Sequence, residues 1–307
     1  MVSALDERLA DYLRLRRGLG SRMDQQELYL SGFLDYLGAR GATMVTTELA
    51  LGWARSPEGI KSITVGFRLS AVRGFARYLH AIDSAHEVPP TGLTSVGRPR
   101  PAPHIYTADQ IAALVEMAGR LRPPLRALTL RTLLGMLAAT GMRLGEATQL
   151  SDADVDLMGG VITVRRAKFD RVRLVPLHPT VTDALRAYVA DRDRLRPDAS
   201  CDRFLLSATG RPLTGGDVDV AVAGITTKIG LRTATCRPRV HDLRHTFAVS
   251  TLIDAHRRDA DIQALLPVLS TYLGHVKPAN TYWYLEAVPE LMQLAAERLD
   301  TYEAGRR

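Results

Sequence analysis

Residues 84–105 read SAHEVPPTGLTSVGRPRPAPHI and carry Pro89, Pro90, Pro99, Pro101 and Pro103. Proline fixes φ and removes a backbone donor, so such a run neither continues a helix nor enters the middle of a sheet. The stretch predicts an extended connection that divides the chain: a first domain over 1–84, a Pro-rich linker over 85–105 and a second domain over 106–307. A chain of 307 residues accommodates two ordinary domains with a core each.

Before the linker the apolar residues recur at helical spacing. Leu30, Phe33, Leu34 and Leu37 form one such stripe, and Val72, Phe75, Ala76 and Leu79 another. Thr47 is a plausible N-cap for a short helix through Trp53, and no convincing strand occurs before residue 100. The first domain is therefore expected to be a bundle of about four helices. After the linker, Thr107-Ala108-Asp109-Gln110 has the form of a capping box. A long apolar helix over roughly 125–139 stops at Thr140-Gly141, and GMRLGEATQL opens another. VITV (161–164) and VRLVPL (172–177) are short β-rich runs that predict a hairpin. Pro179 and Thr180 begin a helix to about 195, FLLS (204–207) is a candidate third strand, and the remainder is helical with breaks at Pro267 and Pro289. The fold class is mainly α with a small β-sheet: a helical bundle followed by an α+β domain.

The formal charge of +7 and pI near 9.6 suit a polyanionic partner, either a nucleic acid or an acidic membrane surface. The opening MVSALDERLADYLRLRR has early acids and no apolar run, so it does not resemble a signal peptide. No stretch of about 18 apolar residues occurs, so no membrane span is expected. Cys201 and Cys236 lack a CxxC arrangement and suit reduced thiols of a cytoplasmic protein. Arg14, Arg16, Arg17 and Arg22 form either a solvated face or a set of phosphate contacts.

Lysine is rare in this chain. Lys plus Arg number 40, of which only Lys61, Lys168, Lys228 and Lys277 are lysine. Lys168 lies between the two β-rich runs, among Arg165, Arg166, Arg171 and Arg173. Arginine keeps its proton at any workable pH, whereas lysine can release one. Lys168 is thus either an ordinary solvated turn residue or a proton donor.

Three further polar clusters lie in the second domain. ATGMRLGEATQL holds Arg143; VHDLRHTFA holds His241, Arg244 and His245; STYLGHVKPANTYWYL holds His275, Tyr282 and Tyr284. On a helix, His241 and Arg244 share a face. Arginine between the histidines disfavours a metal, so none is expected there. Two arginines, a lysine and two histidines suit a phosphodiester, with the guanidinium groups stabilising charge in the transition state. A tyrosine nearby is then a candidate nucleophile.

In their order along the chain, ATGMRLGE, the lysine-bearing hairpin ending in RLVPL, HDLRHTFA, LGH and a tyrosine nine residues after that histidine resemble the tyrosine recombinase (phage integrase) family, most closely integrases of insertion elements and transposons. The resemblance covers about 105–300. It implies a DNA-clamping core-binding domain followed by a catalytic domain, closing round duplex DNA. It implies catalytic roles for six residues: Arg143 and Arg244 binding phosphate, Lys168 as general acid, His241 assisting proton transfer, His275 donating a hydrogen bond, and Tyr284 as nucleophile. Glu146 falls where the family has an acid supporting the first arginine. The hairpin departs from the Gly-flanked pattern in reading AKFDR, the approach to LGH is longer and includes Pro267, and Tyr282 stands two residues from the assigned nucleophile.

The implied activity is site-specific recombination: DNA strands are cut and rejoined through a 3′-phosphotyrosyl bond, which conserves the bond energy, so no cofactor is expected. The implied partners are double-stranded DNA, a homotetramer on two sites and, in sets of several recombinases, sister enzymes. The segment LEAVPELMQLAAERLDTYE is an amphipathic candidate for docking on a neighbouring protomer. Two alternatives share these features: a catalytically silent DNA-binding accessory protein, and a DNA-relaxing enzyme like type IB topoisomerases.

Overall fold

A computed structural model of the chain describes residues 4–56, 58–93, 102–165, 172–196, 201–275, 281 and 293. The described residues up to 93 and those from Ala102 onward fall into two compact units.

The first unit contains α1 (Ala4–Gly18), α2 (Asp24–Gly38), α3 (Thr47–Arg55) and α4 (Ser62–His80), and its described residues include no strand. The stripes Leu30/Phe33/Leu34/Leu37 and Val72/Phe75/Ala76/Leu79 are all buried, on α2 and α4. Phe33 meets Trp53 with ring centroids 5.3 Å apart, and Tyr12 meets Phe75 at 5.5 Å. The N-cap of α3 is Thr46, one residue before the expected Thr47: its hydroxyl accepts the Leu49 N–H at 3.2 Å. The Thr47 N–H instead bonds the Glu87 carboxylate at 2.8 Å, so Glu87 supplies a second cap from a distant part of the chain.

Glu87 belongs to the Pro-rich stretch, and its neighbours also pack on the bundle. Buried His86 accepts the Val45 N–H on Nδ1 at 3.1 Å, and Arg73 donates to the carbonyls of Pro89 and Pro90 at 2.7 and 2.8 Å. Just beyond the far end of the stretch, Tyr106 is buried in the second unit, where its N–H bonds Thr246 at 3.0 Å.

The second unit contains α5 (Ala108–Gly119), α6 (Pro124–Thr140), α7 (Leu144–Ala147), strands β1 (Val155–Asp156), β2 (Val161–Arg165) and β3 (Val172–Pro176), then α8 (Pro179–Leu195), α9 (Gly215–Lys228), α10 (Val240–Arg257) and α11 (Ile262–Leu273). Thr107 and Gln110 close the expected capping box on α5. Helix α6 is central, packing against α5, α8 and α10. The strands form an antiparallel sheet in the order β1-β2-β3, with Val161 opposite Pro176 and Arg165 opposite Val172. Residues 166–171, including Lys168, lie outside the described residues, as do Pro289 and the amphipathic segment from 285 save Gln293.

Two further local expectations need correction. FLLS is not a strand of the sheet; Phe204, Leu205 and Leu206 are all buried and make only an isolated bridge, Leu206 to Pro212, while the third strand is Val155–Asp156. GMRLGEATQL opens a helix as expected; it is α7, four residues long, and Leu150 beyond it is buried. Pro267 does not break the chain but sits inside α11. Asp261 caps that helix at 2.8 and 3.1 Å, and Leu266, Leu269 and Leu273 anchor its buried face. Burying three leucines contributes roughly 1.5–3 kcal/mol each, which outweighs the roughly 3 kcal/mol cost of an interior proline.

Helix α6 stops at Gly141, which adopts φ +60°, a conformation that favours glycine. A Cβ there would lie 2.5 Å from the Phe247 ring. Gly141→Ala is therefore expected to destabilise the second unit by on the order of 2–4 kcal/mol, from the left-handed backbone and the overlap together. Gly135→Ala, mid-helix with nothing within 4 Å of its Cβ, should stabilise it slightly. Urea unfolding of both variants checks the pair; equal midpoints would contradict the assignment.

Candidate functional site

Beyond Gly141 the chain turns through buried Met142 to Arg143, which takes an extended conformation (φ −75°, ψ 143°) at the N-terminus of α7. Glu146, one turn on, accepts the Arg143 backbone N–H on Oε2 at 3.1 Å and the guanidinium Nη1 on Oε1 at 2.9 Å. One carboxylate thus fixes both main chain and side chain of Arg143. The Arg143 side chain remains one-third exposed.

The start of α10 repeats this device. Arg239 precedes the helix, and buried Asp242 accepts its backbone N–H at 2.8 Å and its Nη2 at 2.9 Å. This pins the first turn, where His241 stands exposed. Partial desolvation by the surrounding chain, and then the positive charge of Arg244, push its pKa below the ordinary histidine value, which favours the neutral ring at pH 7. His245 meets His241 edge-on at 4.7 Å; burial first, then His241, lower its pKa to about 4. Arg244, one turn after His241, is 2% exposed and donates to the Gly141 carbonyl at 2.8 Å and the Leu273 carbonyl at 2.6 Å.

The end of α11 gathers these groups. Gly274 terminates it at φ +65°, and the last carbonyls of a helix have no intrahelical partner. Arginines take them here. Tyr272 O accepts from Arg173 Nε at 2.9 Å, Leu273 O from Arg244 and from Arg143 Nη1 at 3.3 Å, and Gly274 O from Arg143 Nη2 at 3.3 Å. Arg143 and Arg244 share the Leu273 oxygen, so the two bonded nitrogens lie within about 6 Å of each other. The negative end of the helix dipole faces these cations, which is favourable. His275 follows directly; its Nδ1 lies 2.8 Å from the hydroxyl of buried Thr281, which sets the ring rotation.

Of the six residues expected to act together, Arg143, Arg244 and the helix end carrying His275 are joined by hydrogen bonds, and His241 stands one turn before Arg244. Lys168 and Tyr284 lie outside the described residues, as does Tyr282. Among the described residues, no group of three or more His, Cys, Asp or Glu side chains is placed to hold a metal, and no helix is long and apolar enough to cross a membrane. In the first unit, Arg14 pairs with Asp11 at 3.0 Å and Arg17 with Glu27, both pairs exposed.

Arg173 was not among the expected site residues. It projects from β3 and grips Glu146 with both Nη atoms, at 3.0 and 2.7 Å. The signal for it is the alternation of VRLVP: Val175 is fully buried, and Arg173, two residues away, shares its face of the sheet. Val172 and Leu174, which look like the core face, are 55% and 62% exposed. Burial alone would raise the pKa of Glu146; the hydrogen bonds and charge of Arg173, then those of Arg143, overcome it and bring the pKa down to about 2.

Similarity to known proteins decides the family. Residues 105–290 match the phage integrase family. The chain belongs to this family of tyrosine recombinases. It is 39% identical to y4rB of Sinorhizobium fredii, described as an integrase/recombinase, over 97% of this chain and 98% of that protein. It is 30% identical to the tyrosine recombinase XerC of a Roseiflexus species, over 73% of this chain and 68% of that one. Among solved structures, the Tn1549 transposon integrase in complex with a circular intermediate DNA superposes with a TM-score of 0.67 at 18% identity, over 95% of this chain and 98% of that one. XerH bound to its difH substrate after cleavage gives 0.64 at 19% identity, over 91% and 80%. The protein is a tyrosine-type site-specific recombinase, mainly helical with a small sheet.

The Glu146 cluster carries a pH signature in this recombinase. A carboxylate with depressed pKa stabilises the fold fully above its unfolded value, about 4.3, and loses that contribution as pH falls toward 2. The amount is about 3 kcal/mol. Thermal unfolding of the second unit between pH 6 and 2.5 should therefore show a fall below about pH 4.5 that Glu146→Gln reduces. The same acid slope in both proteins would contradict the assignment.

Proposed function

We propose that this recombinase binds double-stranded DNA and exchanges its strands through a 3′-phosphotyrosyl intermediate formed on Tyr284. Arg143 and Arg244 hold the non-bridging oxygens of the scissile phosphate and neutralise the charge that develops there. The phenol oxygen of Tyr284 attacks phosphorus and its proton passes to His241, whose lowered pKa keeps the ring a proton acceptor at neutral pH. The bond to the 5′-oxygen breaks, and Lys168 gives that oxygen its proton. His275 donates a hydrogen bond to the phosphate. The freed 5′-hydroxyl of a partner strand then attacks the phosphotyrosyl bond, restoring the phosphodiester and the phenol.

The observation that carries this reading is the sharing of the Leu273 carbonyl by two arginines from distant segments of the second unit. Two guanidinium groups held that close, beside a helix end leading to His275, have the spacing and charge for one phosphate. A set of bound positive charges also fits the formal charge of +7. The reading extends to a homotetramer on two DNA sites, with sister recombinases as further partners, acting on DNA in the cytoplasm.

A pool of nicked duplexes with a randomised segment tests this without requiring a defined target sequence. Protein-linked DNA surviving boiling in SDS is recovered, sequenced, and the linked residue found by peptide mass. The expected adduct is on Tyr284 and disappears in Tyr284→Phe. Arg143→Ala and Arg244→Ala should each slow its formation by about 10²–10³-fold, by removal of transition-state charge stabilisation. An adduct on Tyr282, or none, would contradict the proposal.

A further inference from the structure

Arg173 touches two of the elements that carry candidate site residues and is itself part of a third. Its Nη atoms hold Glu146, which holds Arg143 on α7. Its Nε holds the Tyr272 carbonyl at the end of α11, three residues before His275. It stands on β3, five residues after Lys168. With a side chain 13% exposed, it is well shielded from solvent competition for these bonds.

We propose that Arg173 is a positioning residue for strand transfer: its bidentate grip on Glu146 and its bond to Tyr272 O fix the α7 arginine, the end of α11 and the hairpin strand relative to one another. This rests on the phosphotyrosyl reading above. A planar fork is needed. Nε and the two Nη atoms point to three acceptors on two elements, whereas a lysine ammonium offers a point charge on a flexible stem. Without Arg173, Glu146 still binds Arg143 and Arg143 still reaches the Leu273 and Gly274 carbonyls, but this group is released from β3 and Tyr272 O loses its donor, so the arginine and the helix end lose their registration against the sheet. A displacement of about 1 Å at a reacting centre is worth about 10²-fold in rate. The other role open to such a pair is purely structural, with any loss of activity following a loss of folded protein.

The test uses full-length Arg173→Lys and Arg173→Gln with the nicked duplex recovered by the wild-type chain. Single-turnover adduct formation, DNA affinity and the urea midpoint are measured for each. Arg173→Lys keeps the charge and carries the test if Arg173→Gln does not fold. The expected result is a fall in adduct formation of about 10- to 100-fold with DNA affinity changed less than about twofold. In an Arg143→Lys background the same substitution should cost less than about threefold, because residues acting through one another are not additive. An undiminished cost in that background, a rate that follows the folded fraction alone, or an unchanged rate would each overturn the proposal. A wild-type chain that forms no adduct removes the phosphotyrosyl reading and this one with it. A wild-type adduct with unaffected variants removes this one alone.

Discussion

The carbonyls that end α11 are the constraint on which the candidate site depends. A helix terminates with acceptors its own backbone cannot satisfy. Here Tyr272, Leu273 and Gly274 are satisfied by guanidinium groups that arrive from β3, from α10 and from the start of α7. Segments far apart in sequence are thereby fixed to one point. The same bonds orient the arginines, since a planar fork committed to carbonyls on one side has a defined direction on the other.

Such clustering of positive charge is costly unless it is balanced. Glu146 supplies part of the balance, with two arginines on one carboxylate and a pKa near 2. Helix-end dipoles supply another part, from α11 and, through the Gly141 carbonyl, from α6. The glycines that stop these helices in the left-handed conformation matter for that reason: each turns the chain sharply and leaves its own carbonyl, and in α11 those of the two preceding residues, facing the arginines. A recombinase that must hold a phosphate without long-lived rearrangement benefits from donors fixed in advance.

Much of this was readable from residue order. Helical stripes such as Leu30/Phe33/Leu34/Leu37 report burial directly, because a period of 3.6 has few other causes. The Thr140-Gly141 stop, the Thr107 capping box and the hairpin strands follow from local chemistry alone. Failures came where tertiary contacts decide. Thr46 and Thr47 are equivalent as caps until Glu87, forty residues on, claims the Thr47 N–H. FLLS is apolar throughout its first three residues, so its pattern cannot separate a strand from a buried coil. Pro267 is tolerated because leucines on both sides of it are buried. Arg173 looked like one more arginine of a basic hairpin; its partners lie on α7 and α11, which no spacing within the hairpin reveals.

The proposed strand transfer requires a single phosphate met by residues from the start of α7, from α10 and from the end of α11 together with the Tyr284 phenol. A crystal structure of the covalent DNA adduct measures this directly. The expected density joins Tyr284 to a 3′-phosphate whose non-bridging oxygens lie within hydrogen-bonding distance of both Arg143 and Arg244, with His241 and His275 beside them. Guanidinium groups bound to different phosphates, or an ester on another residue, would contradict it.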